Sequence, residues 1–155
     1  MKLGVLSALA SALALLASLF FGAPVKATNP AHLQQLLETG ECARCDLSGA
    51  NLSGAHLIGA DLRDANLKGA NLKEANLEGA DLTGANLQNA NLASAFINST
   101  TLIDANLANA NLSNSVLYSA QLEGATLIGT NLTGADVFNT PVGIGGTDPN
   151  LPNQE

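Results

Sequence analysis

At 155 residues, with charged side chains at 12% and aromatics at 3%, the chain has room for one modest domain but is too biased in composition for an ordinary globular core. A formal net charge of -7 excludes a surface suited to phosphate backbones or anionic lipid heads, both of which it would repel.

Residues 1–27 follow the plan of a secretory signal peptide. Met1-Lys2 precedes an almost uninterrupted apolar run from Leu3 to Phe21, and the small residues around Val25-Lys26-Ala27 suit cleavage after Ala27. The run is also nearly long enough to act as an uncleaved N-terminal anchor, in which case these residues alone would engage a membrane. Either reading places the remainder outside the cytoplasm. Without residues 1–27 the chain keeps four basic residues, Arg44, Arg63, Lys68 and Lys73, against thirteen acids, a net charge of -9.

Residues 28–40 predict a short capping helix, with Asn29 as N-cap, Pro30 at the first helical position and Gly40 as terminator. Its Leu33, Leu36 and Leu37 form one apolar face, expected to cover whatever follows.

From residue 41 to 139 the chain repeats every five residues. Five steps on an α-helix advance the direction by about 500°, which scatters the leucines around the axis. On a flat strand an odd period sends successive leucines to opposite faces. A chain that turns a corner every five residues can bury them all, because four short segments then surround one axis. The register runs from Leu47 through Leu52 and Leu57 to Leu132, with Ile97 substituting once and Val137 closing a series of nineteen centres. Two residues before the centre stands alanine in fifteen cases, otherwise Cys45, Thr100, Ser115 or Thr130. Two residues after it stands glycine nine times, then Asn, Asp or Ser, with Glu74 the one exception. Those residue types tolerate the backbone angles of a corner.

This A-(N/D)-L-x-x pattern, from about Gly40 to Asn139, resembles the pentapeptide-repeat family. The resemblance implies an all-β solenoid, a right-handed quadrilateral β-helix, here with a short N-terminal capping α-helix. At the ordinary inter-strand spacing the stack is roughly 22 Å long.

Cys42-Ala43-Arg44-Cys45 places one cysteine in the leucine register and the other in the alanine register, so both thiols point into the first coil. A disulfide, two buried thiols and a redox-active pair are the alternatives. The last is disfavoured because the motif follows a helix stop instead of opening a helix. Zinc would need further ligands, and His56 stands in an outward column.

Residues twenty apart share a face. Asn51, Asn71, Asn91, Asn111 and Asn131 form a structural ladder. A second face carries an acidic strip, Asp61, Asp64, Asp81, Asp104 and Glu123, extended by Glu41, with Arg63 expected as its sole cation. A third turns Phe96, Val116, Tyr118 and Phe138 outward, a candidate interaction surface. Residues 140–155 read as a Gly/Pro-rich tail, in which Val142 and Ile144 could plug the last coil.

The register supplies no catalytic, cofactor-binding or metal-binding residue, and a tube filled with Leu and Ala has no polar cavity. The resulting expectation is a non-catalytic structural or protein-interaction module, exported to the periplasm or thylakoid lumen, which binds an unidentified protein or itself and no nucleic acid. The resemblance offers one rival, a DNA-mimicking rod that acts on gyrase, which the export signal opposes. A thiol-redox factor using Cys42 and Cys45 is the less favoured third reading.

Overall fold

The computed structural model describes residues 29–140. They form one helix, α1 (Pro30–Thr39), followed by a β-helical solenoid. The signal segment and the expected tail plug of Val142 and Ile144 lie outside the described residues.

Each side of the coil is too short for a conventional strand. Pairing is instead a series of single parallel bridges between residues twenty apart, from Glu41 with Asp61 to Val116 with Asp136. Around each leucine three backbone bonds repeat. Leu47 N–H donates to the Asn66 carbonyl above it at 2.8 Å, Gly49 N–H to that of Lys68 at 2.9 Å, and Asn66 N–H back down to that of Cys45 at 2.8 Å. A turn bond closes most sides, as from Ala50 N–H to the Leu47 carbonyl at 3.0 Å.

The corner residue two places after each centre has positive φ throughout, whether it is glycine, as at Gly69 (φ 65), or not, as at Glu74 (φ 60). The Asn or Asp before the centre bends the chain from the other side. Its side-chain oxygen accepts the N–H two residues on, as Asn76 Oδ1 does from Glu78 at 3.0 Å. Alanine and leucine alternate in the interior, buried from Leu47 to Leu122 apart from the half-buried Ala55. The small polar exceptions are satisfied there: the Thr100 and Thr130 hydroxyls donate to the Leu77 and Leu107 carbonyls at 2.8 and 2.7 Å. No buried side-chain polar atom among the described residues lacks a partner.

Helix α1 begins and ends as its sequence predicts. Asn29 Oδ1 accepts the Ala31 N–H at 3.1 Å, and Gly40 adopts φ 73. Its apolar face is rotated from the expected one, however. Leu36 is buried and Leu33 packs at the edge of the core, whereas Leu37 is 57% exposed. The contact stripe runs through His32 and Leu36, one turn apart, because His32 Nδ1 accepts the Asp46 N–H at 2.9 Å. In the next coil the equivalent N–H, that of Asn66, bonds to the carbonyl of Cys45 in the coil below. The imidazole therefore stands in for a missing coil. Gln35 adds a bond from its amide to the Glu41 carbonyl at 2.7 Å.

At the opposite end Leu127, Leu132 and Val137 are half-buried, since no described coil lies over them. Thr140, expected in the tail, is buried instead, and its hydroxyl donates to the Leu117 carbonyl in the manner of Thr100 and Thr130. The coil thus extends one residue further than the composition suggested. The next residue is Pro141, which has no N–H to repeat the bond that Gln121 makes to the Thr100 carbonyl.

Candidate functional site

Two columns of outward side chains flank each row of buried centres, one before and one after. On the face that begins at His56 the first column reads His56, Asn76, Phe96, Val116, Asp136, and the second Ile58, Glu78, Asn98, Tyr118, Phe138. Because coils stack without insertion, the late repeats bring Phe96, Val116, Tyr118 and Phe138 into one cluster, together with Asp136. Phe96, Tyr118 and Phe138 are 48%, 41% and 69% exposed, and Val116 is half-buried.

The cluster is ordered by its own contacts. The rings of Tyr118 and Phe138 meet edge to face, centroids 6.1 Å apart at 79°. The Tyr118 hydroxyl donates to Asp136 Oδ2 at 2.5 Å, and this bond holds the phenol above its ordinary pKa range. Asn98 Oδ1 accepts the Tyr118 N–H at 3.1 Å, which fixes the backbone beneath the ring. Neither carboxylate of this face, Glu78 or Asp136, has a cationic partner among the described residues. Sequence reading missed Ile58 and Ile128, both largely exposed. Each occupies the position after a centre, where an apolar residue is a signal that register alone could have given.

The acidic residues are less unified than expected. Asp61 and Asp81 stand before their centres, Glu123 after one, and Asp64 and Asp104 at corners. Arg63 donates to both Asp61 oxygens at 2.8 and 2.5 Å, which holds that carboxyl below its usual range, and its Nε lies 3.9 Å from Asp81. Arg63 is not the sole cation here: Arg44 Nε lies 3.7 Å from Asp64 Oδ2, because Arg44 occupies the same corner column one coil below. Part of the strip is therefore locally neutralised.

Cys42 and Cys45 lie in the first coil, both buried, with their sulfurs 2.04 Å apart in a disulfide. The asparagine ladder runs the length of the solenoid, each Nδ2 donating to the Oδ1 one coil below at 3.1–3.3 Å. Among the described residues no group of His, Cys, Asp and Glu could hold a metal ion, and no helix is long and apolar enough to cross a membrane.

The family model for pentapeptide repeats matches eight copies, over residues 45–84, 60–98, 70–107 and 97–134. Among solved structures, a pentapeptide repeat protein from the cyanobacterium Cyanothece 51142 is similar at 30% identity and a TM-score of 0.55, over 72% of this chain and 97% of that one. A pentapeptide repeat protein from the Arabidopsis thaliana thylakoid lumen is 34% identical over 62% of this chain and 61% of its own, with a TM-score of 0.36. HetL, a pentapeptide repeat protein involved in heterocyst differentiation regulation in Nostoc sp. strain PCC 7120, is 26% identical with a TM-score of 0.40, over 62% and 63% of the two chains. No match was found among curated proteins. The eight matched copies and the Cyanothece likeness agree with the register read from the leucines, and the chain belongs to the pentapeptide-repeat family.

Proposed function

We propose that this chain is a non-catalytic structural or protein-interaction rod, exported from the cytoplasm to a periplasm or thylakoid lumen, and that its working surface is the aromatic face. One observation carries the reading: Phe96, stacked one coil below Val116, and Tyr118, packed against Phe138, are exposed on one face of a rod whose other outward positions are mostly polar. Clusters of that kind on soluble proteins mark contacts. The packed Leu/Ala interior, with no polar cavity, supports the non-catalytic part, and the plan of residues 1–27 supports export.

The same proposal takes the coil as a right-handed quadrilateral and α1 as the cap of its first turn. The bonds from α1 to Asp46 and Glu41 support that role. It also takes Cys42–Cys45 as a structural disulfide that ties the first turn, since buried sulfurs are poor exchange partners. Affinity capture from the native compartment, comparing the parent with a Phe96→Ser, Tyr118→Ser double variant, tests the face. The parent should retain a reproducible partner that the variant loses; identical captures would reject the assignment.

A further inference from the structure

The aromatic face is chemically incomplete in a specific way. Its two outward columns carry two carboxylates, Glu78 and Asp136, three aromatic rings and no lysine or arginine. The four cations of the described chain lie in the first two coils and on other faces: Arg44 and Arg63 on the acidic face, Lys68 on the next, and Lys73 on the asparagine face. Residues 81–140 hold the acids Asp81, Asp104, Glu123 and Asp136 and no base. The rings therefore sit on the anionic half of the rod, beside a carboxylate that is already oriented by Tyr118.

We propose that Phe96, Tyr118, Phe138 and Asp136 form a docking site for a basic segment of a partner protein, with a lysine or arginine side chain laid over the rings and its charge against Asp136. The inference rests on the reading of this face as the interaction surface and adds the chemistry of the partner. An aromatic face attracts a cation through its quadrupole, and a neighbouring carboxylate adds charge complementarity and orientation.

The other occupants of such a face fit less well. Residues 141–155 bring Asp148 and Glu155 and no base, so they would add negative charge to a negative surface. A second copy paired face to face brings no lysine or arginine either, because none lies in these columns.

The test uses the full chain and three short fluorescent peptides, in which leucine alternates with arginine, with glutamine or with glutamate, read by anisotropy. The arginine peptide should bind about tenfold more tightly than the glutamine peptide, an advantage that shrinks as salt rises. Phe138→Ser and Asp136→Asn should each remove most of that advantage, whereas Asp104→Asn, on the acidic face, should leave it intact. Asp136→Asn changes charge with almost no change in shape, so it keeps the test decisive should Phe138→Ser fail to fold. Equal binding of the arginine and glutamine peptides would overturn the basic partner yet leave the interaction face standing. Loss of the advantage with Asp104→Asn, or its persistence in Asp136→Asn, would also overturn the proposal. So would concentration-dependent dimerisation of the parent, seen by sedimentation and abolished by Phe138→Ser, because the occupant would then be a second copy.

Discussion

At the corner positions, glycine is favoured for two reasons that can be separated. Positive φ alone costs an L-residue about 1–2 kcal/mol, and an added Cβ at Gly69 would meet nothing within 4 Å. At Gly124 (φ 72) the Cβ would also run into Asp104 Oδ1, because the Asp104 side chain leans over the corner in the next coil. Asp104 is exposed and its carboxylate can swing aside, so Gly124→Ala should cost little more than Gly69→Ala in urea denaturation, and any excess should disappear in an Asp104→Gly background. The corners were legible because a residue type recurs every five places, but the lean of Asp104 over Gly124 was not, since it depends on which residues meet twenty apart. The Asp61–Arg63 pair makes a second prediction. A carboxyl held low in the folded chain stabilises the fold above its unfolded value, about pH 4, and loses that contribution as pH falls through the folded value. The parent should lose stability more steeply below about pH 4 than Arg63→Gln. Parallel curves would place the pair among the many exposed ion pairs that contribute nothing measurable.

Among the elements, α1 was legible in its limits and misread in its orientation. Asn29, Pro30 and Gly40 are local signals, whereas the rotation of the helix is decided by His32, which supplies an acceptor that only the first coil lacks. His32→Ala should remove about 1 kcal/mol, the typical net value of such a bond. It should also speed amide exchange in the first coil while leaving the middle coils unchanged, and uniform acceleration would argue against a local latch. The disulfide in that coil has its own readout. Mass spectrometry after alkylation of the native protein should find no free thiol without reductant and two with it; two freely alkylated cysteines at the outset would reject the bond. The sequence left this pair open because the leucine and alanine registers bury both sulfurs whether or not they are joined.

Over the whole molecule, stability should vary along the stack, since each coil is supported only by its neighbours. Leu77, in the second coil, is fully buried, and Leu77→Ala should cost about 2–5 kcal/mol. Leu132, in the final described coil, is half-buried and should cost clearly less in the same urea series; equal losses would mean that something encloses the end. The sequence made the interior readable along its full length because one register persists for nineteen centres, and left the ends obscure because the register stops there. The backbone pattern around each leucine has a further result. Of the three peptide units that bond between coils, two direct their N–H toward the C-terminal end and one toward α1. The surplus, repeated at every side, sums to a modest electric dipole whose positive pole lies at the C-terminal end. Side chains bearing only negative charge occupy that pole, so the charges of the backbone and of the side chains at that end are opposite in sign.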